Sequence, residues 1–406
     1  MRKSLISTAV LVALAAPTLV FAEDAAPAAA AGPTLMQGMN FPLANNPNPL
    51  SIDAGPIGKV YVSGVLSGIA LSSNHSGAGY GTTATDAFGK VNKNSYGDIS
   101  NAQVILQKVD GLVQFYVQGG SYSEPTLGAD YYRSSQWTKK SFGNVPIAFV
   151  KLAPTDTFSI QAGKLPTLIG TEYAFTFQNT NIQRGLLWAQ ENVINRGVQA
   201  NLTLGPLALS GAVTDGYYTK DYKYLTALAT YTINDSNAIS FAAGGNPSGT
   251  KPADNNSELS PIVGQAYVNS QQYNLYYKNV TGPWTFQPII QYTKTGSDTA
   301  DGTLNGHTWG GSLIVNYAFN ENYSLAARGE YIKENGANNV LTYDHIDGNS
   351  KAWSITLTPT YQQKSFFARA DLSYVKVNDG KSGDMFGING KEDNQARALA
   401  EVGFLF

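Results

Sequence analysis

The three histidines of the chain, His75, His307 and His345, are the residues best suited to metal binding or general-base work, and their spacing supports neither. No HExxH or comparable ligand pattern surrounds them, and no serine sits in a G-x-S-x-G turn. The glycine-rich stretch Gly77-Ala78-Gly79-Tyr80-Gly81 lacks a following Lys-Ser/Thr, so it is a poor phosphate cradle. Cysteine is absent, which removes disulfides and thiolate metal sites. Neither catalysis nor a cofactor is expected. What remains is the chemistry of charge and hydrogen bonding along a path. Lys151, Lys278, Arg328, Arg369 and Arg397 stand against Glu330, Asp371 and Glu401 on the polar faces of alternating segments. Five cations against three anions would give a water-filled passage a mild preference for anions, with neighbours such as Arg328 and Glu330 able to neutralise one another. Gln103, Gln107, Gln114, Gln118, Gln199 and Gln291 extend the same faces with uncharged groups that suit neutral polar solutes.

The elements that must carry those faces are strands. From Ala396 to Phe406 one face reads Ala396, Ala398, Ala400, Val402, Phe404, Phe406, and the other reads Arg397, Leu399, Glu401, Gly403, Leu405. An unbroken apolar face opposite charges, with an aromatic last residue, fits a strand lying between lipid and water. The same two-residue period recurs from Lys59 onward in about sixteen segments. Connections alternate in length. Short ones fall near 109–111, 154–156, 205–206, 234–236, 281–283, 320–322 and 362–364; long polar ones cover roughly 72–98, 123–144, 164–194, 216–222, 246–270, 295–307, 334–351 and 378–394. Seven short and eight long connections predict an all-β, transmembrane antiparallel β-barrel of about sixteen strands, with short periplasmic turns and long extracellular loops. Segments 58–71 and 223–245 are the least regular, which leaves fourteen to eighteen strands open. Tyr273, Trp284, Tyr292, Tyr323, Tyr331, Trp353 and Tyr361 sit near the ends of apolar faces, where rings meet lipid headgroups.

The N-terminus carries Arg2 and Lys3, an apolar run from Leu5 to Leu19 and small residues flanking Phe21, the pattern of a signal peptide cut after residue 22. Its removal takes Lys plus Arg from 27 to 25 against 29 acidic residues, so nucleic acid is not an expected partner. Beyond it no run of about 18 to 20 apolar residues offers a transmembrane helix. Residues 23–57, rich in Ala, Pro and Asn, read as a flexible periplasmic leader, and 58–406 as the barrel. Within it, the third long loop, 164–194, mixes Lys164, Glu172, Arg184, Trp188 and Glu191 with Phe175, Phe177, Leu186 and Leu187, and Arg196 follows. Too apolar to stand in solvent, this loop is expected to fold inward as a constriction.

Gly163-Lys164-Leu165-Pro166-Thr167, Gly170 with Glu172, the run from Asn181 to Asn192, Asn195-Arg196-Gly197-Val198 and Asp215-Gly216-Tyr217 resemble the outer-membrane β-barrel porin-2 (OmpL-like) family. The resemblance spans about fifty residues directly and implies an outer-membrane channel. The expected function is then passive diffusion of small polar solutes or ions in a Gram-negative outer membrane; the alternative is a surface adhesin or receptor with a closed lumen. Expected partners are outer-membrane lipids, the barrel-assembly machinery reading Phe406 as its signal, and two further copies in a homotrimer.

Overall fold

In the computed structural model, residues 33–76, 93–247, 271–295, 306–336, 340–341, 344–345, 349–380, 382–383 and 385–406 are described. Sixteen long strands run in chain order: β1 (Lys59–Ser73), β2 (Ser95–Lys108), β3 (Val113–Tyr122), β4 (Ile147–Leu152), β5 (Phe158–Pro166), β6 (Ile194–Leu204), β7 (Leu207–Thr214) and β8 (Tyr224–Asn234) make the first half. β9 (Asn237–Gly245), β10 (Gln271–Thr281), β11 (Trp284–Thr295), β12 (Gly306–Ala318), β13 (Tyr323–Gly336), β14 (Lys351–Gln363), β15 (Phe366–Asn378) and β16 (Asn394–Leu405) make the second. Each pairs antiparallel with its neighbour in sequence, and β16 closes on β1 with Arg397 opposite Ser73 and Leu405 opposite Val65. Closure leaves no free edge, so backbone polar groups are satisfied inside lipid without a helix.

Alternation decides which side chain faces which solvent. In β16 the residues Gln395, Arg397, Leu399, Glu401 and Leu405 are buried toward the interior, while Val402 and Phe404 are exposed on the outer wall. Across the barrel the outer wall carries Leu106, Val150, Val198, Phe241, Leu275 and Ile290 as a lipid-facing band. Aromatic pairs mark its rims. Tyr292 lies 4.7 Å from Trp309 near the long-loop end, and Trp284 lies 4.6 Å from Tyr317 near the short-turn end. The seam has its own lock: the Phe406 ring lies over Gly64, where a Cβ would come within 2.5 Å of it. The backbone N–H of each of these two residues donates to the other's carbonyl, at 2.8 and 3.0 Å.

One departure from the sequence reading concerns the N-terminal segment. The proposed signal peptide and residues 23–32 lie outside the described residues, as does the Gly77–Gly81 stretch. Residues 33–57, read as flexible leader, are packed in part: Met39 and Leu43 are buried, while Leu50–Asp53 forms a short, exposed strand paired with Lys59–Val62. The signal missed is the set of apolar side chains Leu35, Met36, Met39, Phe41 and Leu43 in this stretch. The interior is also partly filled by the chain's own loops. Tyr122, Phe142, Phe149, Phe175 and Phe177 form one buried cluster with Met39 and Leu43, and Leu186, Leu187, Ile332, Val375 and Phe386 belong to another.

Candidate permeation path and constriction loop

The third loop runs from the end of β5 to the start of β6 and lies against the inner wall over half the barrel. Its hydrogen bonds explain why a sequence without long helices holds one course. Gln190 Oε1 accepts from Thr308 on β12 at 2.6 Å and Thr293 on β11 at 3.1 Å, and Gln291 donates to the Leu187 carbonyl at 3.0 Å. Leu186 N–H donates to Glu330 on β13 at 2.9 Å, Asn181 to Thr358 on β14 at 2.6 Å, and Gln183 N–H to Asp371 on β15 at 2.8 Å. At the far end Thr176 donates to Glu401 on β16 at 2.6 Å and accepts from Asn101 on β2 at 2.6 Å. These bonds lay the loop along the inner wall, and polar residues that sequence reasoning passed over carry most of them. Asn and Gln scattered through an apolar loop were the available signal, since buried amides need partners.

The charges fall into two populations. Under the loop, Arg328 binds Glu172 at 2.6 Å and Glu330 at 3.3 Å, and Arg369 binds Glu401 at 2.7 Å, both arginine side chains being fully buried. Arg328 also donates to the Gln183 carbonyl at 2.9 Å, and Arg369 to the Asn179 carbonyl at 2.8 Å. Arg397 donates to the carbonyls of Thr126 and Ala129 in the second loop. These residues, expected to line water, are buried anchors that tie loops to wall, and Arg328 and Arg369 are matched by carboxylates within the protein. Arg184 is buried beside Trp188, 5.7 Å from the ring centroid. Lys164 and Arg196 are opposite each other in the β5–β6 register, both over the Tyr218 ring at 5.6 and 4.1 Å. Arg196 is paired with Asp215 at 2.7 Å, so this cluster clasps the loop ends.

The second population is sparse. Ten consecutive strands, β3 to β12, contain no Asp or Glu, while Lys151 on β4 and Lys278 on β10 point inward near their short-turn ends. Gln199, Asn201, Thr203, Ser210, Thr226 and Thr230 line the wall between them. The third loop's hydrogen bonds run to β10–β16, and over β7–β9 it packs through Leu168 and Ile169, which share a buried cluster with Ala212, Leu228 and Ala242.

The glycines of the distinctive stretch have steric reasons. Gly163 has φ +143°, and a Cβ there would stand 2.2 Å from the Ala148 carbonyl. Gly170 has φ +80° and abuts the Glu191 carboxylate, where a Cβ would lie 1.9 Å from an oxygen. The two candidate imidazoles among the described residues have separate partners. His75 Nδ1 meets the Asn394 carbonyl at 2.8 Å, and His307 lies on β12 against Tyr292. The side chain of His345 lies outside the described residues, and among the described residues no group of three His, Cys, Asp or Glu could hold a metal.

Burial pushes the Glu124 carboxyl in the second loop up to about 8, against the pull of Arg184. Burial also drives Glu191 well above the ordinary carboxylate range, with repulsion from Glu172 and Glu330 adding to it. A carboxyl whose folded value is raised stabilises the fold fully below its unfolded value, about 4.3, and that contribution is lost as pH rises through the folded value. For Glu124 the window runs from the ordinary range to about 8. We expect the denaturation midpoint of the parent protein to fall across this window, and that of E124Q/E191Q to stay nearly level. Parallel slopes in urea titrations at several pH values would contradict the assignment.

Solved structures resemble this chain at low identity and high coverage. The trimer form of OmpT from Vibrio cholerae aligns with TM-score 0.52 and 11% identity over 86% of this chain and 99% of its own. The anion-selective porin from Comamonas acidovorans aligns with TM-score 0.51 and 12% identity over 86% and 99%. The outer membrane channel DcaP of Acinetobacter baumannii gives 0.52 and 12% over 85% and 97%. These likenesses establish the shared barrel fold. No curated protein sequence matches the chain. The family profile does, and it covers the entire barrel from β1 to the last residue. By that match over residues 59–406, the chain belongs to the family described as "Putative beta-barrel porin-2, OmpL-like".

Proposed function

We propose that the protein is an outer-membrane porin through which small polar solutes and ions diffuse passively, with anions favoured. The observation that carries the preference is the arc from β3 to β12, whose strands hold Lys151, Lys164, Arg196, Lys278 and Lys294 but no carboxylate. Arg328 and Arg369 under the third loop are paired with carboxylates, which leaves Lys151 and Lys278 among the inward cations of the carboxylate-free strands. A cationic wall in a narrow, low-dielectric passage raises local anion concentration. The family and the anion-selective Comamonas relative of the same fold support this reading. Short turns would face the periplasm and long loops the exterior. A trimeric OmpT structure supports a homotrimer. An N-terminal signal peptide would export the chain, and Phe406, locked on Gly64 at the seam, would be presented to the assembly machinery before the barrel closes.

Charge reversal tests it. K151E/K278E should move the anion-over-cation permeability ratio by about tenfold toward cations, an energy of about 1.4 kcal/mol that two reversed charges at close range supply. K151Q/K278Q should fall between. An unchanged reversal potential in both variants would remove these lysines from the selectivity account. A folded barrel without conductance would favour the adhesin or receptor reading.

A further inference from the structure

We infer that the short-turn mouth of the barrel is a binding groove for an extended peptide, and that residues 33–49 of the same chain occupy it as a plug. Three glutamines on the barrel side read main-chain groups of this segment. Gln107 on β2 accepts from Met36 N–H at 2.7 Å. Gln178 in the third loop donates to the Gly38 carbonyl at 2.9 Å, and its own carbonyl accepts from Asn40 N–H at 2.6 Å. Gln362, at the β14 turn, accepts from Ala44 N–H and donates to Ala44 carbonyl, each at 2.9 Å. Both hydrogen-bonding groups of one residue are thus held by a single amide side chain, the geometry of peptide recognition by main chain.

Side chains supply the register. Met39 and Leu43 are 6% and 4% exposed, so two apolar anchors four residues apart seat in the mouth. Gly38 packs against the Tyr173 ring, where a Cβ would stand 2.6 Å from it, so this position admits no side chain without a shift. The segment touches the third loop at Tyr173, Gln178 and, through Asn40, the Thr171 carbonyl at 2.6 Å. It therefore lies beneath the constriction and across the exit on that side.

Composition makes the plug releasable. Residues 33–49 contain no Asp, Glu, Lys, Arg or His, so neutral hydrogen bonds and apolar contacts, Met36, Met39 and Leu43 among them, hold them. Each such bond contributes about 1 kcal/mol net, and a tether of one short edge strand keeps the released segment close. Because the plug is uncharged, its release should widen the path and leave the sign of ion selectivity unaltered.

The inference rests on the porin reading, and planar-bilayer recordings separate the two. Deletion of residues 33–49 should raise single-channel conductance by about twofold, as expected when an obstructed sixteen-strand lumen is cleared, with the same sign of reversal potential. M39D/L43D, which places two charges at buried anchors and keeps the chain length, should do the same and carries the test if the deletion fails to fold. A synthetic peptide of residues 33–49, added on the short-turn side, should return the deleted channel to parental conductance, and a peptide bearing M39D/L43D should not. Parental conductance in both folded variants, or indifference to the peptide, would overturn the plug while leaving the porin reading standing. Silence from parent and all variants would overturn both.

Discussion

Excising residues 170–190 should raise single-channel conductance by about threefold or more, since a sixteen-strand barrel without its infolded loop encloses an open aqueous channel. The loop crosses from β10 to β16 and β2, and its removal strips Phe175, Phe177, Leu186 and Leu187 from the two buried clusters. It also removes Gln178 and Thr171, two of the contacts of the N-terminal segment, so both obstructions loosen together. The increment should therefore exceed that of deleting residues 33–49. The excised stretch contains one acid, Glu172, and one base, Arg184, so net lumen charge is unchanged. Arg328 would retain Glu330, and Arg369 would retain Glu401. Selectivity should weaken as the path widens, without reversing. A folded deletion variant with parental conductance would show that the loop does not set the narrowest section.

Replacing Arg369 by Met should destabilise the folded barrel by about 3–5 kcal/mol, the range for removing one partner of a buried ion pair. Arg369 and Glu401 are both inaccessible to solvent, 2.7 Å apart, and Arg369 additionally holds the carbonyls of Asn179 and Thr176. After the substitution Glu401 keeps only hydroxyl and amide donors, from Thr176 at 2.6 Å, Ser67 at 3.1 Å and Asn101 at 3.3 Å. Its charge would stay buried and under-compensated. The double substitution R369M/E401M removes the stranded charge and should recover most of the loss, because a buried pair replaced by apolar groups is often nearly neutral. The check is the urea midpoint of the parent, R369M and R369M/E401M in lipid vesicles. Equal losses in single and double variants would mean that the pair is not coupled. A single variant as stable as the parent would mean that water reaches Glu401.

Much of the barrel is legible in the sequence, because strand alternation encodes two solvents directly. The two faces of the C-terminal strand reappear as lipid-facing Val402 and Phe404 and inward Arg397 and Glu401. The alternation of short and long connections gives sixteen strands even where residues 223–245 were least regular; these form β8 and β9 around a two-residue turn. Local chemistry is enough for such features. The interior is less legible, since partners there are distant in sequence. Arg328 was paired in prospect with Glu330, two residues away, yet its shorter contact is to Glu172, 156 residues away. Met39 and Leu43 gave no period to read, and their burial depends on a groove built from β2, the third loop and the β14 turn. Charge counting on strands could not separate Lys151 from Arg369, because only the loop's course decides which wall stays open.

The most direct test of the account is the reversal potential of the refolded parent protein in a planar bilayer under a tenfold gradient of potassium chloride. Stable current steps with a reversal potential of the sign for chloride over potassium are predicted by the carboxylate-free arc around Lys151 and Lys278. A cation-selective reversal potential would contradict the proposed path, and membrane-inserted protein that never conducts would contradict the channel itself.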